Sequence, residues 1–180
     1  MISLHLIFYA RLELRFPDVE TNPGSRRPVP GACRILCSNV RGVSKNLSDV
    51  TVASSQYDSF LCCETLVLDR RHISELLVRG FGSPVLLCRD GMPRARGMAA
   101  YVRDGYGAFR RPKFECDCCE MLVFRVCGAR QNFYVFSLYR NPDLDDRIYY
   151  CLLTALADVQ APDACASLLF VGDLNGNHQE

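Results

Sequence analysis

Leu168-Leu169-Phe170-Val171-Gly172-Asp173-Leu174-Asn175-Gly176-Asn177-His178 passes from an apolar run into a cluster of turn-forming polar residues. A short apolar run without helical periodicity reads as a buried strand, and a glycine directly after it lets the backbone turn sharply. Asp173 and Asn175 stand two apart, which in an extended segment aims both side chains the same way, at the open end of a sheet. A carboxylate beside a neutral amide can steer a water and hold a phosphate oxygen in a metal-assisted hydrolysis. Taken alone, the stretch reads better as a strand followed by an Asp/Gly/Asn turn, which is common in α/β proteins. Its weight comes from what precedes it.

Working back along the chain, residues 34–40 read as a strand ending in Asn39-Val40-Arg41-Gly42, and residues 59–63 as a strand ending in Glu64-Thr65. Between them Leu47, Val50 and Val52 form a modest helical stripe over residues 44–55. A carboxylate at the C-terminal edge of a strand is where open α/β sheets place their ligands. Singly, Asn39 is better read as a turn residue and Glu64 as a solvated loop acid. Further strands are expected over residues 84–89, 121–127 and 132–139, the last ending in Tyr139-Arg140-Asn141-Pro142, with a loop after the first leading to Gly97-Met98-Ala99-Ala100-Tyr101-Val102. Residues 144–159 carry Ile148, Cys151, Leu152, Ala155, Leu156 and Val159 at helical spacing and predict the clearest amphipathic helix in the chain.

Composition bounds the rest. A chain of 180 residues, 49% hydrophobic and 23% charged, is globular, long enough for a real core, and neither disordered nor membrane-spanning. A net charge of +1 offers no global attraction to a polyanion, so nucleic-acid contact has to come from local patches. One such window holds Arg89, Arg94, Arg96, Arg103, Arg110, Arg111 and Lys113 with Tyr101, Tyr106 and Phe109 interleaved. It reads equally as a cationic ridge for a phosphate backbone and as a solvated hairpin face. Eleven cysteines, an odd number lying mostly within apolar runs, favour buried free thiols and an intracellular compartment, nuclear or cytoplasmic. Cys116-Asp117-Cys118-Cys119 has no second pair at ribbon spacing, so zinc is the lesser reading.

Residues 1–30 differ in character. Residues 2–10 are a short apolar run with no basic region before it, too short to span a bilayer and better read as a loosely packed helix or strand than as a weak signal-like segment. Asp18-Val19-Glu20-Thr21-Asn22-Pro23-Gly24 resembles the 2A-type ribosome-skipping peptide of some viruses and retroelements, although Ser25 stands where that pattern requires proline. The Arg- and Pro-rich segment that follows reads as a linker, which puts a domain boundary near Pro30 and a folded unit over residues 31–180.

Successive strand ends thus present Asn39, Glu64, Tyr139-Arg140 and Asp173-x-Asn175 in that order, with Arg96-Gly97-Met98-Ala99-Ala100-Tyr101-Val102 between the second and third. This order resembles the endonuclease/exonuclease/phosphatase superfamily, and within it the endonuclease domain of jockey-like non-LTR retrotransposons. The resemblance runs from Cys33 to the C terminus. It implies an α/β fold, a partial four-layer α/β sandwich, because the chain stops at Glu180, ahead of the further strands and the Ser-Asp-His motif expected of that family. The resemblance implies Glu64 and Asn39 at a Mg²⁺ or Mn²⁺ ion, Tyr139 on a phosphate oxygen, Asp173 orienting or deprotonating the attacking water, and Asn175 supporting the pentacovalent phosphate. Arg96 and Arg140 would contact the DNA backbone. The implied activity is nicking of target DNA for retrotransposition, weakened by the truncation, with a reverse transcriptase domain joined downstream in the full element. The alternatives are an inert or merely binding retroelement fragment and a phosphatase of the same superfamily.

Overall fold

The computed structural model describes residues 4–8, 11–14, 33–67, 70–88, 97–116, 120–127, 132–140, 147–160 and 167–173. Ten strands lie in it, β1 (Leu4–Phe8), β2 (Arg11–Leu14), β3 (Cys33–Asn39), β4 (Ser59–Cys63), β5 (Val85–Leu87), β6 (Met98–Val102), β7 (Gly107–Arg110), β8 (Glu120–Cys127), β9 (Asn132–Tyr139) and β10 (Ser167–Asp173), with helices α1 (Leu47–Ser54) and α2 (Arg147–Gln160). Short 3-10 helices cover Arg70–Leu76 and Pro112–Phe114. The strands form two five-stranded sheets, one ordered β1-β10-β9-β8-β7 and the other β2-β3-β4-β6-β5.

The order of layers follows from which residues each strand buries. Along β9, Phe133, Val135 and Tyr139 join Leu122, Phe124, Val126, Leu169 and Val171 in a cluster that also takes Ile35, Cys37, Leu61, Cys63, Met98 and Ala100 from the second sheet. The alternate residues Tyr134, Phe136 and Leu138 pack with Leu152, Ala155 and Val159 of α2. Phe60, Cys62, Ala99 and Tyr101 turn the other way, onto Val50 of α1 and Leu76 of the 3-10 helix. Helix, sheet, sheet and helix therefore stack as four α/β layers. The central strands are covered on both faces, which explains why they read as continuous apolar runs without alternation. Phe136 and Phe170 stack at 4.6 Å between ring centroids, pinning β9 to β10 under α2.

Several expectations change. Val52 is 74% exposed while Val50 is buried, because residues two apart on a helix point some 200° away from each other; the stripe of α1 is narrower than its composition implies. The basic window is not a hairpin, since β6 pairs within one sheet and β7 pairs with β8 in the other. Tyr101 is fully buried, and burial followed by the nearby Cys62 pushes its phenol well above the usual tyrosine range. Arg103 donates to the carbonyls of Ser55 and Tyr57 and lies over the Phe81 ring, and Arg110 pairs with Glu115 and donates to Leu86 O. Those two guanidinium groups tie segments together and do not build a ridge. Residues 89–96, Arg96 among them, lie outside the described residues. So do residues 117–119, which hold most of the Cys-Asp-Cys-Cys stretch, while Cys116 packs half-buried against the cluster under α2.

Two stretches of residues 1–30 are edge strands, β1 parallel to β10 and β2 antiparallel to β3. The 2A-like peptide and the expected boundary near Pro30 lie outside the described residues. Among the described residues, no helix is long and apolar enough to cross a membrane.

Asp58 stands at the opposite end of β4 from Glu64. It is 5% exposed, accepts the Arg34 N–H at 2.9 Å, and lies 3.6 Å from both the Arg34 and the Arg103 Nε. A buried carboxylate is tolerated only when paired in this way, and deleting one partner strands the others. Asp58→Ala is expected to lower unfolding free energy by about 2 kcal/mol, read as a shift in urea midpoint at unchanged m-value.

Candidate active site

The C-terminal ends of β3, β4, β9 and β10 lie at one edge of the two facing sheets. In the register, Asn39 sits opposite Cys63, and Asp173 opposite Tyr139. Asn39 continues the inward-facing series of Ile35 and Cys37, Tyr139 that of Phe133 and Val135, and Asp173 that of Leu169 and Val171. Three of the expected side chains thus point into the gap between the sheets. Glu64 reaches it differently. It lies one residue past β4 with φ +52°, a left-handed conformation that non-glycine residues seldom adopt.

Two side-chain hydrogen bonds cross from sheet to sheet. The Tyr139 hydroxyl donates to Glu64 Oε1 at 2.7 Å, and Asn39 Nδ2 donates to Asp173 Oδ2 at 3.4 Å. With the two register pairs and the peptide link from Cys63 to Glu64, they close a ring through four strand ends. Asn39 Oδ1 in turn accepts the Arg41 N–H at 3.2 Å, so the amide orientation is set from both sides. Asp173 is 6% exposed and Tyr139 3%, which places the ring at the floor of the gap. Arg140 follows Tyr139, and its backbone N–H donates to Asp173 O at 2.8 Å, extending the β9–β10 pairing by one rung.

Backbone contacts hold Glu64 in its turn. Gly42 N–H donates to Glu64 O at 2.7 Å, Val43 N–H to Thr65 O at 3.0 Å, and Thr65 N–H to Gly97 O at 3.1 Å. Arg41 and Leu66 also have positive φ, +47° and +57°. Non-glycine residues in this region cost on the order of 1 kcal/mol each and persist where the surroundings over-determine them, commonly at functional sites. Such strain is invisible in the residue types. Beneath the rim, the Cys63 thiol donates to Leu138 O at 3.9 Å. A hydrogen bond with Cys37, then burial, then the neighbouring Cys37, Cys62 and Asp173 hold its pKa well above the usual cysteine range. Cys63 therefore stays a neutral thiol that packs between the sheets.

The donor set suits a hard cation. Glu64 offers a carboxylate and Asn39 an amide oxygen, and Mg²⁺ is held by one or two carboxylates with water and phosphate completing its shell, not by a closed protein cage. Among the described residues no group of three or more His, Cys, Asp or Glu side chains gathers that could hold a metal. Asn175 lies outside the described residues, as does Arg96. Glu120 was not legible as part of this region. It is 8% exposed, lies opposite Tyr139 in the β8–β9 register, and its Oε2 accepts the Gly97 N–H at 2.8 Å. The only sequence signal was an acid opening an apolar strand.

No family model matches the chain, and no curated protein matches it. Solved structures do. The AP endonuclease LMAP of Leishmania major superposes with a TM-score of 0.56 at 14% identity, over 78% of this chain and 54% of that one. The endonuclease domain of TRAS1, a telomere-specific non-LTR retrotransposon, gives 0.56 at 17% identity over 80% of this chain and 61% of that one. A functionally unknown conserved protein of Enterococcus faecalis gives 0.53 at 15%, over 81% and 68%. The chain thus spans between half and two thirds of the length of the first two. Two facing mixed sheets, helices on both outer faces and strand ends converging on one edge make this an α/β sandwich of the endonuclease/exonuclease/phosphatase fold.

Proposed function

We propose that the chain is the endonuclease part of a non-LTR retroelement, hydrolysing a phosphodiester of duplex DNA at the Asn39–Glu64–Tyr139–Asp173 rim. The observation that carries this reading is the pair of inter-sheet hydrogen bonds, Tyr139 to Glu64 and Asn39 to Asp173, which bring four separated segments to one place. The order of motifs and the likeness in fold to a retrotransposon endonuclease domain support the same reading.

Glu64, with Asn39, would hold Mg²⁺ or Mn²⁺, and the bound ion would supply charge neutralisation at the phosphate. Asp173 has one carboxylate oxygen tied to the Asn39 amide. That fixes the plane of the carboxylate, so that a water accepted by it is aimed and its proton has a destination. The water oxygen forms the new bond to phosphorus, the bond to the 3′ oxygen breaks, and the departing oxygen takes up a proton. The Tyr139 hydroxyl carries one proton, directed here at Glu64. Its first role is to hold that carboxylate, and it reaches a phosphate oxygen by rotating away. Arg140 and Arg96 would contact the DNA backbone, and Asn175 would support the pentacovalent phosphate. A nick of this kind primes a reverse transcriptase joined downstream.

The test is a supercoiled plasmid incubated with the full chain and Mg²⁺. Conversion to the open circle, abolished by EDTA, is expected. Turnover of a small phosphomonoester with the plasmid left intact would replace the nuclease reading with a phosphatase. Tyr139→Phe removes the 2.7 Å hydrogen bond and is expected to lower the nicking rate about tenfold and stability by about 1 kcal/mol, measured by initial rates and urea melts.

A further inference from the structure

A carboxyl taken out of water needs a hydrogen-bond partner to be tolerated, and Glu120 places its own within the molecule at the edge that carries the rim. It opens β8 on the same side as Leu122, Phe124 and Val126, facing the gap between the sheets. Its Oε2 accepts the Gly97 N–H at 2.8 Å, and Gly97 O accepts the Thr65 N–H at 3.1 Å. Gly97 has φ +70°, and a Cβ there would lie 2.8 Å from Thr65 Oγ1 and 3.3 Å from Val67 O. The Gly97 peptide is therefore seated against Thr65 with no room to shift. Thr65 is the residue after Glu64, is 2% exposed, and passes its own carbonyl to Val43 N–H. Glu64 sits between two clamps: Gly42 and Val43 on one side, and Gly97, held by Glu120, on the other.

We propose that Glu120 is a positioning residue for Glu64, acting through the Gly97–Thr65 backbone to hold the metal-binding carboxylate in its left-handed turn. This rests on the reading of Glu64 as a metal ligand. Partners that orient a metal ligand through such a second layer typically change metal affinity by about 10- to 100-fold when removed.

The test measures Mn²⁺ binding to the full chain by water-proton relaxation, alongside Mg²⁺ titration of plasmid nicking. Glu120→Ala is expected to raise the Mn²⁺ dissociation constant about tenfold and to raise the half-saturating Mg²⁺ in parallel. Glu120→Gln keeps an oxygen that accepts the Gly97 N–H and is expected to stay within about twofold of wild type. A Glu120→Ala protein with a lower Tm and unchanged metal affinity overturns the proposal, as does a Glu120→Gln protein as impaired as the alanine variant. Should Glu120→Ala not fold, Glu120→Asp withdraws the carboxylate by one methylene; several-fold weaker Mn²⁺ binding supports the proposal, and wild-type affinity overturns it. Wild-type protein that binds Mn²⁺ without nicking defeats the nuclease reading alone, and the variants' affinities still decide the role of Glu120. Wild-type protein that binds no Mn²⁺ overturns both.

Discussion

Glu64→Ala is expected to lower plasmid nicking by at least about a hundredfold and to remove the rise in melting temperature expected of the wild type with Mg²⁺. The size follows from the metal's share of the reaction: several kcal/mol of charge stabilisation at the phosphate, where each 1.4 kcal/mol is about tenfold in rate. Glu64 is the carboxylate of the proposed donor set, and no group of three or more acidic, His or Cys side chains among the described residues stands in for it. The substitution also releases the Tyr139 hydroxyl, whose 2.7 Å bond to Oε1 is lost. A fold defect is separable from a site defect here. Glu64 lies outside β4 and alanine keeps the same positive φ, so the strain is unchanged, the lost Tyr139 bond costs about 1 kcal/mol, and the apo protein is expected to stay folded and melt several degrees below wild type. A variant that nicks at the wild-type rate would mean that the carboxylate is a turn residue and nothing more.

Gly172→Ala is expected to be the most damaging single-methyl change in the chain. A Cβ on Gly172 would fall 1.9 Å from Leu138 O and 2.7 Å from Leu138 C, inside the neighbouring strand where nothing flexible can give way. Gly172 is paired with Leu138 in the parallel β9–β10 register, with Val171 opposite Ser137 and Asp173 opposite Tyr139 on either side. Relief requires β10 to move off β9, which separates Asp173 from Tyr139 and undoes the stack of Phe136 on Phe170. Overpacking a well-filled core costs about 1–3 kcal/mol even where side chains yield, and here the obstacle is backbone. The expected result is insoluble protein or a loss of more than about 3 kcal/mol in a urea melt. A variant as stable as wild type would show that β9 and β10 do not lie in this register.

The same glycine shows what was and was not legible in the residues. Read from sequence, Gly172 is the residue that lets the chain turn after its strand; in the structure it is inside β10, and what it supplies is close approach of two backbones. The strand runs themselves were plain, because residues such as Leu122-Val123-Phe124 and Val135-Phe136 are buried on both faces and carry no helical periodicity. Helix α2 was equally plain, with Leu152, Ala155 and Val159 facing the sheet. Asn39, Glu64, Tyr139 and Asp173 stood out by their order along the chain, and the structure gathers all four at one edge. The left-handed turn at Glu64 and the Glu120–Gly97–Thr65 relay did not stand out. Both depend on contacts between segments far apart in sequence, for which residue type carries no signal. Two members of the cationic window show the same limit: charge counted along the chain says nothing of Arg103 and Arg110 spending theirs on carbonyls and on Glu115.

The account turns on whether the four strand ends make a cation site, and a crystal of the full chain soaked in Mn²⁺ reads that directly. An anomalous peak is expected about 2.1 Å from a Glu64 carboxylate oxygen, within reach of Asn39 and on the side of the gap that Asp173 faces. A peak elsewhere, or none at a concentration that supports nicking, would contradict it.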